Sequence, residues 1–306
     1  MKYLSTTENF SVSNIILGCM RISSLSTASL EKLVDTALSQ GITLFDHADI
    51  YGGEHLCEKR FGEILKQTPS LRSKMLIQTK CGITKCGYDF SREHILKQLD
   101  DSLAALETDY VDILLLHRPD TLLDPCEVAE AFSILKKSGK VRHFGVSNFS
   151  PMQTEFLQKS LDEKLFTNQI QLSLAHSLIF DEGISFNSAL PSASVCSSSC
   201  LEYSRLNNIL LQAWSPLGFG NFEGTFLGNM QKFAPLNELL ETLAKKYNVQ
   251  PVAIAFAWLV RHPAGIAAVC GTTSPEHLAS ICCANDVALT RVEWYSLYKA
   301  AGHIIP

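Results

Sequence analysis

Eight short runs of β-type residues punctuate the chain: NIILG, ITLFD, MLIQTK, VDILLLH, VRHFGVSN, FTNQIQLS, ILLQAWS and IAAVCG. Between them the apolar positions recur with helical period. In REHILKQLDDSLAAL, Ile95, Leu99, Leu103 and Leu106 fall on one face, and Ser91 stands where an N-cap is needed. Asp124, Pro125 and Glu127 read as an N-cap, a proline at the first helical position and a first-turn acid, and Gly139 supplies a left-handed stop. Residues 27–40 form a similar helix ending at Gly41.

Eight strands alternating with helices predict an α/β protein with a parallel sheet, and eight is the number that closes a (β/α)8 TIM barrel. An open doubly wound sheet is the rival, but no strand runs into the G-x-G-x-x-G that would open a dinucleotide-binding helix. No repeat or linker divides the chain, so residues 1–306 are expected to form one barrel domain. Two stretches break the alternation: serine-rich residues 181–200 and glycine-rich residues 218–232. Both read as long βα loops on the face where such barrels place their sites. The segment from Thr290 onward reads as a closing helix.

Composition narrows the function. Hydrophobic residues make up 46% and charged residues 19% of the chain, which suits a soluble protein with a large core. A net charge of -5 leaves no basic footprint for nucleic acid. The longest apolar run, VAIAFAWLV, is too short to span a bilayer, and MKYLSTTENF lacks a signal-type apolar segment. A cytoplasmic protein with no membrane or nucleic-acid partner is expected. The ten cysteines match no metal-ligand spacing: Cys81 and Cys86, Cys196 and Cys200, and Cys282 and Cys283 form no C-x-x-C pair. Reduced thiols and no metal are expected.

The polar residues at the strand ends carry the chemistry. Asp46 and Tyr51 follow the second strand, Lys80 ends the third and His117 the fourth. Singly, each has a bland reading as a helix cap, a packed aromatic, a rim charge or a hydrogen-bonded interior residue. Lys80 and His117 each end an apolar run, however, and burying either without a partner is costly. As a set they form an acid catalyst: an ammonium lowers the pKa of a nearby phenol, a carboxylate orients the ammonium, and a neutral histidine places a carbonyl oxygen. The set lacks a nucleophile, a metal or a phosphate loop.

The blocks FDHADIYG, IQTKCG, LLLHRPD, GKVRHFGVSNF, NQIQLS and AWSPLG resemble those of the aldo-keto reductases, in order and spacing, from about Ile15 to the last helix. LLLHRPD and VRHFGVSNF are similar to the bacterial branch of the YdhF type. The resemblance implies a barrel that binds NADPH, sometimes NADH, across its C-terminal face and reduces aldehydes or ketones to alcohols. It implies Tyr51 as proton donor, Asp46 and Lys80 as the groups that tune it, and His117 as the group that orients the substrate. Ser147, Asn148 and Gln169 then correspond to contacts of the nicotinamide carboxamide, and Trp214 to the aromatic stacked on its ring. Ser215, Pro216, Leu217 and Gly218 correspond to the pyrophosphate loop, with Met20 and Arg21 as further cofactor contacts. Gly271, Thr272, Thr273 and His277 fall at the adenosine 2′-phosphate site. There the sequence departs from the family, with Gly271 where many members carry lysine and His277 where arginine is usual. A helix N-terminus still favours phosphate, so NADP is preferred and NAD is the alternative. The substrate is expected to be a small carbonyl compound, selected by the two long loops, with Phe219 and Phe222 as an apolar wall. Arg118 either binds an anionic substrate or forms a salt bridge at the rim, and the salt bridge is favoured. Other readings are a nicotinamide-binding sensor or interaction subunit with vestigial turnover and, more distantly, a lyase or isomerase acting on a phosphorylated sugar.

Overall fold

The computed structural model describes residues 1–7, 10–194 and 197–306, so the Cys196–Cys200 spacing lies partly outside the described residues. Eight parallel strands close a barrel in chain order: β1 (Ile15–Gly18), β2 (Leu44–Asp46), β3 (Leu76–Cys81), β4 (Val111–Leu116), β5 (Val141–Ser147), β6 (Thr167–Gln171), β7 (Leu210–Trp214) and β8 (Ala267–Cys270). All six residues of β4 are buried, because one face meets helices and the other meets the barrel axis. Along the axis Ile16, Leu44, Ile113, Leu115 and Phe166 form a separate apolar cluster. An N-terminal hairpin, Tyr3–Thr7 with Phe10–Ser13, closes the base of that cluster. The Phe10 ring lies 4.1 Å from His143 and 5.1 Å from Phe166 between centroids. Nearby, buried Asp112 of β4 accepts from Arg72 and Arg142, each at 2.8 Å, and from the Ile77 amide. With the base plugged, the open end is the one toward which all eight strands run.

The first helices are α1 (Thr27–Ser39), α2 (Leu56–Gln67), α3 (Arg92–Leu106), α4 (Pro125–Lys137) and α5 (Pro151–Gln158). Ser91 caps α3 by accepting from the His94 amide, and Asp124 caps α4 by accepting from Cys126. Gly41 and Gly139 follow α1 and α4 at φ +82° and +75°, as their sequence positions predict.

The described part of residues 181–200 is more ordered than one long loop. Helix α6 (Leu178–Ser185) opens them, a 3-10 turn follows at Pro191–Ser194, and α7 (Cys200–Leu206) closes them. Their order comes from tertiary contacts. Buried Asp181 accepts from Ser177 and from the Tyr298 hydroxyl, each at 2.7 Å, and His303 stacks on Tyr298 while bonding the Leu174 carbonyl. Residues 218–232 likewise hold a short hairpin, Gly218–Phe219 with Gly224–Thr225, before α8 (Met230–Tyr247) begins. Helices α9 (Pro251–Val260), α10 (Pro275–Cys282) and α11 (Arg291–Ala300) complete the ring. Trp258 of α9 and Trp294 of α11 stack 4.7 Å apart, and each indole N–H donates to the other residue's carbonyl. Among the described residues the cysteines are free, no group of side chains could hold a metal, and no helix is long and apolar enough to cross a membrane.

Candidate active site

At the barrel mouth, β2 ends at Asp46, but the chain stays registered with β3. His47 donates its amide to Gln78 and Asp49 to Lys80. The loop then reverses through four successive left-handed residues, Gly52 (φ +74°), Gly53 (+86°), Glu54 (+38°) and His55 (+62°). Glycine takes such angles freely, whereas Glu54 and His55 hold them under strain. Compensating bonds fix the turn: His55 donates its amide to the Asp49 carbonyl, and Cys57 to that of Tyr51. Beneath it, fully buried Glu58 of α2 meets His55 Nδ1 at 2.5 Å and accepts from Thr79 of β3 at 2.5 Å and Ser102 of α3 at 3.1 Å. One carboxylate thus ties three elements to the Tyr51 loop.

The four strand-end residues converge. Lys80 Nζ lies 2.7 Å from both Asp46 oxygens, 2.9 Å from the His47 carbonyl and 3.1 Å from the Tyr51 hydroxyl. Burial disfavours the Lys80 ammonium, but Asp46 and then Tyr51 more than offset it and raise its pKa above the ordinary lysine value. The Tyr51 phenol departs from the sequence-based expectation. Burial raises its pKa above the usual tyrosine value, and the opposing Lys80 charge does not reverse that. Low dielectric acts on the phenolate itself, whereas much of the Lys80 charge is neutralised by Asp46. The His117 ring stands edge-on to Tyr51, with centroids 5.9 Å apart, and its Nδ1 has no partner among the described residues. Burial, then Lys80 and Arg118, push its pKa well below the usual histidine value, so the ring is neutral.

Below Asp46 lies a polar layer of three glutamines, of which the sequence singled out Gln169, as a cofactor contact, while Gln78 and Gln212 were missed. Gln78 Nε2 donates to Asp46 Oδ1 at 2.5 Å and to Gln212 Oε1 at 2.9 Å. Gln212 returns a bond to Gln78, and Gln169 Nε2 reaches Asp46 at 3.1 Å and Gln212 at 2.9 Å. Each glutamine is the third residue of its strand, β3, β6 or β7, and that shared position was the available signal. Asp49 and Glu58 were also missed. Burial, then neighbouring Glu58, pushes the Asp49 carboxyl up to about 7, and its Oδ1 has no partner among the described residues.

Several residues expected at the cofactor flank this centre. Ser147 donates to the Gln169 carbonyl at 2.8 Å, and Asn148 Nδ2 donates to Ser147 Oγ at 2.9 Å. Trp214 donates its indole N–H to Asn148 Oδ1 at 2.9 Å. Ser215 (φ +48°) starts the next turn and accepts the Gly218 amide at 2.8 Å. Phe222 lies nearly parallel to Trp214, 20° apart with centroids at 5.4 Å, and covers one of its faces. Phe219 instead turns inward, buried against Phe233, and forms no wall of the mouth. Met20, Arg21 and His277 are exposed. Ser274 caps α10 by accepting the His277 amide, and Thr272 accepts the Ser274 amide. A Cβ on Gly271 would meet nothing within 4 Å, so open space surrounds this position. The favoured rim salt bridge of Arg118 is absent. Its guanidinium instead lies over Trp214, 5.5 Å from the ring centroid, and no ion pair engages it among the described residues.

Comparison with known proteins points the same way. The chain matches the Aldo/keto reductase family over residues 14–301. It is 38% identical to the uncharacterized oxidoreductase YcsN of Bacillus subtilis, with 100% of both chains covered. It is 36% identical to the oxidoreductase YdhF of Escherichia coli, covering 96% of this chain and 95% of that one. A 6-dehydroglucose reductase of Agrobacterium fabrum is 36% identical over 98% of each chain. Among solved structures, a thermostable aldo-keto reductase, Tm1743, crystallised with the inhibitor epalrestat, shares the fold with a TM-score of 0.77. That pair is 24% identical, with 98% of this chain and 100% of that chain covered. The match along nearly the whole chain, on a closed eight-stranded barrel, makes this protein an oxidoreductase of the aldo/keto reductase family, in the YdhF-like branch.

Proposed function

We propose that the protein reduces small aldehydes or ketones to alcohols with a nicotinamide cofactor, NADPH being favoured over NADH, and that Tyr51 gives the proton. The arrangement at Lys80 carries the reading. Its three N–H donors face the Asp46 carboxylate, the His47 carbonyl and the Tyr51 oxygen. A phenol oxygen that accepts from an ammonium keeps its own proton for another partner. Burial holds that phenol protonated, which is the form a donor needs. Neutral His117, beside Tyr51 with a free ring nitrogen, orients the carbonyl oxygen without adding charge.

A bound nicotinamide supplies the hydride. Trp214, Ser147, Asn148 and Gln169 are the residues to hold its ring and carboxamide. The turn from Ser215 to Gly218 then serves the pyrophosphate, with Met20 and Arg21 alongside. Gly271, Thr272, Thr273 and His277 take the adenosine end, where the α10 N-terminus favours phosphate.

NADPH oxidation with a panel of small aldehydes, compared between wild type and Tyr51→Phe, tests the proposal. The variant is expected to lose about 10²–10⁴ in kcat while remaining folded. Equal rates would remove Tyr51 from the chemistry.

A further inference from the structure

Arg118 is a cation without a counter-ion at the mouth of the site. It follows His117 directly, is half-buried and makes no ion pair or hydrogen bond among the described residues. The acids close to it in sequence or across the mouth are committed elsewhere. Asp120 accepts from the Phe90 and Leu122 amides, Asp46 is paired with Lys80, and Glu223 is paired with Lys232. Among the described residues no carboxylate pairs with Arg118, so its charge has no partner within the protein.

The guanidinium is also placed. Asn148 Nδ2 approaches the His117 carbonyl, in the peptide leading into Arg118, at 3.4 Å, while its Oδ1 takes the Trp214 indole at 2.9 Å. One amide side chain thus fixes both the backbone before Arg118 and the ring its guanidinium covers. The contact with the indole is a cation–π contact, and no hydrogen bond uses the guanidinium N–H groups among the described residues, so its donor fork is free for a planar partner. A carboxylate matches that fork, and the half-buried setting strengthens such a contact.

We propose that Arg118 is the anion-binding subsite of the substrate pocket, so that preferred substrates carry a carboxylate or similar fixed negative charge a few atoms from the reacting carbonyl. The assignment rests on the carbonyl-reductase reading and names its substrate class. Arg118 is a specificity residue here and takes no part in the proton transfer.

The test compares succinic semialdehyde, butanal and D-glyceraldehyde as substrates of wild type, Arg118→Leu and Arg118→Lys. Wild type is expected to favour succinic semialdehyde over butanal in kcat/KM by roughly tenfold or more. Arg118→Leu should collapse that ratio toward one, mainly through KM, and Arg118→Lys should restore part of it. A wild-type ratio near one, or a ratio unchanged in Arg118→Leu, overturns the proposal. So does a preference for D-glyceraldehyde with no advantage for the acid, which would assign the guanidinium to hydroxyl groups. If wild type reduces none of the three, the reductase reading fails, and a calorimetric titration with succinate then decides the subsite alone. Saturable binding lost in Arg118→Leu supports the subsite, and no binding to wild type overturns it.

Discussion

Lys80 and Asp46 form an ion pair inside the barrel with both carboxylate oxygens 2.7 Å from one ammonium. Neither side chain is more than slightly exposed, so each charge depends on the other. Removing one partner from a buried pair leaves an uncompensated charge.

Lys80→Met should therefore destabilise the fold by about 3–5 kcal/mol, read as a lower urea midpoint. Adding Asp46→Asn to that variant should recover much of the stability and none of the turnover. Recovery of both would mean that the pair serves the fold alone.

The loop carrying Tyr51 should make stability depend on pH. The Asp49 carboxyl, ordinarily near 3.8, is pushed up to about 7 by burial and by Glu58. Between those values the native state holds a proton that the unfolded chain has released, so stability falls as pH rises through that window. His55 acts in the same sense, its pKa raised chiefly by its bond to Glu58. Asp49→Asn should flatten the slope and gain about 1–3 kcal/mol over wild type at pH 8, with little or no gain at pH 5. Urea titrations at pH 5, 6.5 and 8 measure this, and parallel curves for the two proteins would refute it.

The adenosine end should be adjustable. Gly271 faces open space and does not need a left-handed backbone, while His277 is exposed at the start of α10. The double variant Gly271→Lys/His277→Arg should shift the ratio of NADPH to NADH affinity toward NADPH by about tenfold or more, one added charge-assisted contact being enough. Equilibrium titration with each cofactor reads this directly. An unchanged ratio would place the 2′-phosphate elsewhere.

The barrel was legible because each strand is a short apolar run and several helices announce an end, as Ser91, Asp124, Gly41 and Gly139 do. Asp46, Lys80 and His117 stood out as polar residues at the ends of such runs. Glu58 did not, because a glutamate on an amphipathic helix looks like part of a solvated face until Thr79 and Ser102 are seen to enclose it. Gln78 and Gln212 were hidden similarly, since they bond each other from strands 134 residues apart. The direction of the Tyr51 shift was missed because pairing can be read from residue types, whereas the depth of burial cannot. Helix α6 was missed because its order comes from Tyr298 and His303 rather than from its own sequence.

The chain has three tryptophans, and the barrel separates them into two optical environments. Trp258 and Trp294 are buried face to face, locked by reciprocal hydrogen bonds, so their coupled near-ultraviolet signal reports whether α11 is docked. Trp214 stands half-exposed at the mouth beneath Phe222 and Arg118. Its emission is the component that responds when something displaces Phe222 or meets the guanidinium. The protein thus carries an internal reference and a site reporter in the same spectrum, without a label.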